Sequence, residues 1–582
     1  MNSKDLRKEF LNFFEKKGHK IVPSSSIIPT DPSVLFTTAG MQQFKPYYLG
    51  EKSPYGNRVV SCQKCFRTSD IDEVGDKDHL TFLEMLGNFS FSRVLAKGKE
   101  EDLSSSPSGY FKTEAIKLAY EFLFEELKLP LKEVVFTVFA GDKDLPEDRE
   151  SAEVWKSLGV PEEKIRKCSR EDNFWGPTGE EGPCGPTTEI HIKDIEVWNL
   201  VFNEYYQDKD KKLTLLEKKG VDTGMGLERL AMVVQNKPSV FETDLFESIS
   251  KLIPNSNIKA QRIIADHIKG AVFLISEDIL PSNVERGYIL RRILRRAISF
   301  GKLLKLPKNF LIPLAQEVIG IYKDVYPEIK QKEEDILTVI QKEEEKFSKA
   351  LEDGIKMFSK ESEKGYITGP QMFNIFSTAS VPIEILENLA KDRGIEIRDR
   401  KGFEKEFEKH KEISRAGAEN KFGGVGKEAG YESAKLHTAT HLLHAALRKV
   451  LGTDVKQMGS DITPQRLRFD FAHSQKMTDK EIKEVENLVN QKIKEDLEVK
   501  KTEMKYEDAI AAGALAFFKE KYPEKVTVFS IGDFSKEICA GPHVARTGEL
   551  GEFKIIKEES SGASVRRIRG ILLSPFAVAR PL

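Results

Sequence analysis

Hydrophobic and polar positions change rhythm along the chain. Over residues 1–250, short β-branched and aromatic runs such as Val134-Val135-Phe136-Thr137-Val138-Phe139 alternate with helical patterns and Gly/Pro-rich turns, which predicts a domain mixing strands and helices. From 251 to 412 the strand signal fades and helical periods take over, ending in the charge-dense run Arg398 to Lys411. Within it, Leu290, Ile293, Leu294, Ala297 and Ile298 fall on one helical face, with Arg291, Arg292, Arg295 and Arg296 on the other. Residues 413–430, rich in Gly, Ala and Lys around Phe422-Gly423-Gly424-Val425-Gly426, have the composition of a connector. Helix and strand patterns mix again over 431–582. The expected architecture is therefore α+β and multidomain.

Composition narrows the class. A chain of 582 residues exceeds what one hydrophobic core usually serves. Its 39% hydrophobic and 32% charged residues, with 36 Phe, suit folded, water-exposed domains. Basic and acidic side chains nearly balance at 91 and 93, so any nucleic-acid contact must come from local basic stripes. Five cysteines without framework spacing argue for a reducing compartment rather than disulfides. The start, Met1 to Leu11, lacks an apolar signal core, and no run approaches the roughly 20 apolar residues of a membrane span. A cytoplasmic location follows as the expectation. Residues 97–109, with Lys97-Gly98-Lys99-Glu100-Glu101 and three serines, read as an exposed loop.

Three groups of residues carry chemistry. In Val221-Asp222-Thr223-Gly224-Met225-Gly226-Leu227-Glu228-Arg229, two glycines admit a ligand against the backbone just before a helix; Asp222 suits a cation, and Arg229 a base or phosphate. His437 and His441 are four apart in an apolar helical pattern, so both imidazoles meet one face. Far downstream, Cys539-Ala540-Gly541-Pro542-His543 adds a thiolate and an imidazole in a loop, a donor set suited to Zn²⁺. His444 is a rival imidazole at helical spacing. Cys62-x-x-Cys65 looks like half a zinc ribbon, but no second pair completes it, so two thiols without ligand duty are expected.

Further strings extend this pattern: Phe36-Thr37-Thr38-Ala39-Gly40-Met41, Cys65-Phe66-Arg67, Phe82 through Phe91, Asp172-Asn173-Phe174-Trp175-Gly176, Gly182 through Glu189, and Trp198-Asn199-Leu200-Val201-Phe202. Together they resemble the class II alanyl-tRNA synthetase family, in order over nearly the whole chain. The resemblance implies a six-stranded antiparallel class II catalytic sheet with helices, a helical tRNA-recognition domain and an α+β zinc-containing editing domain. It implies ATP contacts from Arg67, His79, Glu84 and Arg229, with Mg²⁺ accompanying ATP. Arg67, Asp222 and Arg229 become the catalytic set, while Met41, Trp175, Val201, Asp222 and Gly224 form the alanine pocket. One departure stands out: Asp78-His79-Leu80-Thr81 occupies a stretch where the family has Arg-His-His-Thr, so an arginine expected near ATP is absent. Residues 93–109 look like an insertion.

The same resemblance assigns Asn283, in Pro281-Ser282-Asn283, to reading the wobble pair of the tRNA acceptor stem, and favours tRNA contact for Arg291, Arg292, Arg295 and Arg296. A second reader, an aspartate in the family, aligns with Ser377 here. In the editing domain it implies metal ligation by His437, His441, Cys539 and His543, and pocket positions at Thr440 and Gln457. Pro542 stands where the family has Thr. Expected partners are tRNA(Ala), ATP and alanine, with no DNA or membrane; the family's C-terminal region is not seen after Val565-Arg566-Arg567-Ile568, and a monomer is expected. A tRNA-binding paralogue without activation and a stand-alone editing hydrolase are the rival readings. Arg67, Asp222 and Arg229 argue against the first, and residues 1–250 against the second.

Overall fold

The computed structural model describes residues 1–31, 33–91, 109–177, 179–379, 381–419, 430–516, 525–539, 541–562 and 565–573. The inserted stretch 93–109 therefore lies almost wholly outside the described residues, as does most of the connector. The chain forms two compact units, one of residues 1–359 and 376–389, the other of 360–375 and 390–582.

The first unit is organised by one mixed sheet. Its strands are β1 (Lys20–Ile21), β2 (Arg58–Phe66), β3 (Phe82–Phe91), β4 (Val134–Phe139), β5 (Ile165–Cys168), β6 (Phe174–Trp175), β7 (Gly182–Ile192), β8 (Ile195–Gln207) and β9 (Leu213–Gly226). Spatial order is β1-β2-β3-β9-β8-β7-β4-β5, with β6 beside β7. The six strands from β2 to β4 in that order pair antiparallel, and the edge strands β1 and β5 pair parallel. The antiparallel six-stranded core expected from the sequence is present, extended at both edges.

Helix α1 (Ser3–Lys16) begins at Asn2, whose side chain accepts from the Asp5 N–H at 2.8 Å, and buries Leu6, Phe10, Phe13 and Phe14 on one stripe. These rings meet Phe122 and Trp198 in an aromatic cluster against β8. Strand β9 ends at Gly226 and runs directly into α2 (Leu227–Val234). Beyond it come α3 (Ile258–Ser276), α4 (Glu285–Leu303), α5 (Leu311–Tyr322) and α6 (Glu333–Glu361). Leu290, Ile293, Leu294, Ala297 and Ile298 of α4 are all buried, as their spacing predicts. Two short paired strands, Tyr366–Thr368 and Glu396–Arg398, interrupt the expected helical stretch. The helix Arg400–Glu419 also continues into the stretch read as a connector. Gly and Ala there did not outweigh the helical periodicity of the residues before them.

In the second unit, α7 (Tyr431–Leu451) and α8 (Asp479–Lys494) accompany strands β10 (Gln457–Thr463), β11 (Arg466–Ala472), β12 (Val499–Lys505), β13 (Lys525–Ile531), β14 (Ser535–Ile538), β15 (Glu552–Gly562) and β16 (Val565–Leu573). They form two antiparallel sheets, β10-β11-β16-β15 and β12-β13-β14. Leu436, Leu442, Leu443 and Leu447 of α7 pack with Phe469, Phe471 and Ile568 of the first sheet and Val485 and Val489 of α8. No helix among the described residues is long and apolar enough to cross a membrane.

Candidate functional site

Two constellations stand out, one in each unit. In the first, side chains alternate along β9, so Asp222, Gly224 and Gly226 share a face. Gly224 and Gly226 line a pocket together with Arg67, Asp78, His79 and Arg229. At Gly224 a Cβ would sit 3.1 Å from Met85 Sδ, close enough that the Met85 side chain would have to shift, whereas at Gly226 it would make only ordinary contacts with Arg229. Asp222 is buried opposite Val201 in the β8–β9 register. Burial pushes its carboxyl up to about 7. Neighbouring Thr223 fixes the strand pair, donating to Asn88 Oδ1 at 2.8 Å while accepting the Asn88 N–H at 3.0 Å.

Met41 is buried in a cluster with Tyr48, Met85 and Phe89, against which the half-buried Trp175 packs. Trp175 reaches it from β6, held by pairing with Gly185 of β7. Arg67 leaves the end of β2 and donates through Nε to Thr38 O at 3.3 Å. Arg229, on the first turn of α2, donates to Glu196 O at 3.1 Å and lies 3.7 Å from Asp78 Oδ2. His79 is bound through Nδ1 to Asp76 at 2.5 Å and remains partly exposed at the pocket.

Glu84 is the residue that departs from expectation. Because β3 alternates, Leu83 and Met85 line the pocket and Glu84 points to the other side. There it is fully buried, receives both Nε and Nη2 of Arg7 at 2.9 and 2.6 Å, and accepts from the Tyr326 hydroxyl at 2.8 Å. Beside it, Glu228 accepts the Glu84 N–H and pairs with Lys269 at 2.6 Å. Arg7, Glu84, Glu228 and Lys269 thus form a buried ionic layer that reaches the pocket through Glu228, one of its lining residues. Arg7 and Lys269 could not be read from local pattern, since their partners Glu84 and Glu228 are far away along the chain.

The arginine face of α4 also differs from the expected open stripe. Asn283 is exposed, but its Oδ1 accepts from Arg291, whose Nη2 donates to Pro281 O at 3.0 Å. Arg292 binds both carboxylate oxygens of Asp72 at 2.6 and 2.8 Å, and Arg295 donates to Glu343 at 2.9 Å. Arg296 donates to Ile71 O and lies 3.3 Å from His267 Nε2. Arg291 and Arg296 are buried. Instead of an open phosphate stripe, the four side chains bind protein groups. Periodicity identified the polar face of the helix; it could not reveal that the segment 69–81 and α6 cover it. Ser377 lies exposed in the helix Gly369–Ala379.

In the second unit, His437 and His441 of α7 meet Cys539 and His543, with one donor atom of each residue within 4.8 Å of every other. Cys539 follows β14 and its Sγ lies 3.4 Å from His437 Nε2. Protein groups hold the Nδ1 of all three rings. Pro542 O lies 3.2 Å from that of His437, Thr438 Oγ1 3.2 Å from that of His543, and Glu537 Oε2 2.8 Å from that of His441. The Nε2 atoms are left for the centre. His543 Nε2 is buried without a hydrogen-bond partner, an atom for which a metal would account. Burial opposes ionisation of Cys539, yet hydrogen bonds from His437 and His441 bring its thiol down to about 3. A thiolate and three imidazole nitrogens, buried and convergent, fit Zn²⁺.

His444 is not part of this set: its Nδ1 lies 2.9 Å from Glu537 Oε1. Thr440 is buried and donates back to Leu436 O at 2.8 Å. Gln457 opens β10 and donates to Ser460 Oγ at 3.0 Å. Glu537 is the residue sequence reasoning missed, although its place two residues before Cys539 was a usable signal. Cys62 and Cys65, three apart on β2, fall on opposite faces of the strand. Cys62 faces Glu84 at 3.5 Å, and Cys65 packs in the cluster of Met41.

A family model described as class II (A) tRNA synthetases matches residues 5–458. A second, for the second additional domain of threonyl and alanyl tRNA synthetases, matches residues 526–569. The alanine–tRNA ligase of Borrelia hermsii is 46% identical over 610 aligned residues, spanning 98% of this chain and 100% of its own. That of Treponema denticola is 45% identical, spanning 98% of each chain, and that of Dehalococcoides mccartyi is 35% identical, spanning 98% of this chain and 80% of its own. Similarity of this order over nearly the whole length, together with a synthetase model covering more than half of it, means that the chain belongs to the alanine–tRNA ligase family of class II synthetases.

Proposed function

We propose that this chain activates alanine with ATP in the pocket at the end of β9, transfers it to the terminal adenosine of tRNA(Ala), and hydrolyses seryl and glycyl errors at the four-donor centre. The observation that carries the reading is the shared face of Asp222, Gly224 and Gly226, which sets a buried carboxylate beside a pocket that also takes in Arg67 and Arg229. The alanine carboxylate attacks the α-phosphorus of ATP and pyrophosphate leaves. Arg67 stabilises the charge that develops on the phosphoryl oxygens, Arg229 stacks its planar guanidinium on adenine, and Asp222 holds the substrate ammonium. Mg²⁺ accompanying ATP supplies further neutralisation of phosphate charge.

Met41, Trp175 and Val201 confine the substrate side chain. Such a pocket admits glycine and cannot strongly reject serine, because one methylene or hydroxyl is worth only about 1–3 kcal/mol. A second, hydrolytic centre meets that need. There His437, His441, Cys539 and His543 would hold Zn²⁺, which supplies Lewis-acid charge when bound, and Thr440 and Gln457 belong to the surrounding pocket. For tRNA, the Asn283 amide, its oxygen engaged by Arg291, offers its N–H groups to the acceptor stem. Ser377 lacks the charge of the aspartate it replaces and contributes less. Glu84 acts from the other side of β3 rather than on ATP.

Pyrophosphate exchange into ATP, run with each of the twenty amino acids, tests the assignment. Exchange should be strongest with alanine and weaker with glycine and serine; a preference for a large side chain overturns it.

A further inference from the structure

Glu537 lies outside the four-donor set but is bound to it. It sits on β14, two residues before Cys539, and is only 3% exposed. Its Oε2 is 2.8 Å from His441 Nδ1, its Oε1 is 2.9 Å from His444 Nδ1, and Ser535 Oγ donates to Oε1 at 3.4 Å. His444 is itself fully buried, its ring 5.4 Å from that of Phe469. One carboxylate therefore ties the strand that delivers Cys539 to the helix that delivers His437 and His441, and a second imidazole anchors it to the core.

An ionised carboxylate only accepts hydrogen bonds, so each ring facing Glu537 must present Nδ1 as N–H. With a metal bound, His441 would keep that Nδ1–H and give up the proton on Nε2, leaving the Nε2 lone pair for the cation. The carbonyl of Pro542 and the hydroxyl of Thr438 hold the other two ligand rings at the longer distance of 3.2 Å. Among the described ligand rings, His441 alone is held by a charged group. Charge balance points the same way. A dication with one thiolate and three neutral imidazoles keeps one net positive charge, and an uncompensated charge in a buried place is costly.

We propose that Glu537 is a positioning residue of the metal centre, fixing the ring and tautomer of His441 and adding a second anionic group beside the cation, with His444 holding Glu537 in place. The proposal rests on the reading of the four donors as a zinc site. Ligand histidines oriented by a carboxylate are a recurrent design, and losing the outer partner typically lowers metal affinity by about 10–100-fold.

The test uses the full chain. The parent should carry zinc by elemental mass spectrometry; a parent purified and reloaded without bound zinc overturns the four-donor reading and this proposal with it. Glu537→Gln should lose zinc to a competing chelator about 10–100-fold more readily. It should also shift the visible absorption of the cobalt-substituted protein, while alanine-dependent pyrophosphate exchange stays at the parental rate. His444→Gln, which keeps an amide donor for Glu537, should remain near parental affinity. Parental affinity and cobalt spectrum in Glu537→Gln overturn the proposal and leave the four-donor reading standing. If that variant fails to fold by circular dichroism, Glu537→Asp replaces it. One methylene shorter, it cannot reach both rings, and unchanged affinity there is equally fatal.

Discussion

Asp222 is unusual for a carboxyl assigned to bind an ammonium, because burial pushes it up to about 7 in the ligand-free protein. Below that pH it is protonated and has no charge to offer; above it the carboxylate is formed and pairs with substrate. The specificity constant for alanine in pyrophosphate exchange should therefore fall about tenfold per pH unit below about pH 7 and level off above it. Asp222→Asn should flatten that step and raise KM for alanine about 10–100-fold, since a hydrogen bond to a charged group contributes about 1.5–3 kcal/mol. An unaltered pH profile in the variant would remove Asp222 from this role. Asp78 acts in the opposite sense, its carboxylate 3.7 Å from Arg229 where the family pattern carries an arginine. Asp78→Asn should remove one of the two acidic partners of Arg229, leaving Glu196 at 3.4 Å, and lower KM for ATP, but by no more than about fivefold, because partly exposed ion pairs of this kind are worth only about 0–1 kcal/mol. A raised KM would show that Asp78 positions Arg229 rather than competing for it. A nine-residue string singled out Asp222 and Arg229 as candidates, and Arg229 lines the pocket, whereas Glu84, expected at ATP, faces the other side of β3. Strand alternation determines which side of β3 a residue faces, and the string alone does not reveal which side holds the pocket.

Helix α4 shows what periodicity can and cannot deliver. Its apolar face was legible residue by residue, and all five predicted positions are buried. Its arginines read as a phosphate-contacting stripe because their partners, Asp72, Ile71 and Glu343, lie about 50 to 220 positions away. The resulting network gives the helix a different duty. Arg296 and Arg292 hold the segment around Ile71 and Asp72, and Asp266 of α3 accepts from both the backbone N–H and the hydroxyl of Thr81 at 2.8 and 2.7 Å. Between those anchors run Asp78 and His79, which line the pocket proposed for ATP. Arg296→Leu leaves the Ile71 carbonyl buried without its donor, at a cost of about 1–3 kcal/mol, and loosens that lining. KM for ATP should rise about 5–50-fold, with KM for tRNA changed little. A phosphate-tracking arginine would give the reverse: weaker tRNA binding that becomes less sensitive to salt, and normal ATP kinetics.

At the scale of the molecule, the two candidate sites lie in different compact units, residues 1–359 with 376–389 and residues 360–375 with 390–582. Each has its own buried apolar cluster, around the mixed sheet in one case and around α7 in the other. A substitution at the four-donor centre should therefore leave the adenylate pocket intact, because no side chain is shared between the two sites. Cys539→Ala is the sharpest such change. It removes the one thiolate of the set and leaves three imidazoles, a weaker donor set in a buried site that also loses one compensating charge. Zinc content should drop, and the loop bearing Pro542 and His543 loses one of its contacts with α7, keeping those of Pro542 with His437 and of His543 with Thr438. Alanine-dependent exchange and initial alanylation should stay within about twofold of the parent, as expected for sites with no shared partners. Hydrolysis of seryl-tRNA should fall steeply and serine should accumulate on tRNA. Parallel loss of exchange would mean that the units are coupled in folding or catalysis. Retained zinc with parental clearance of seryl-tRNA would instead refute the ligand set, since no other thiol is available: Cys62, Cys65 and Cys184 are buried in the first unit, where Cys168 also lies.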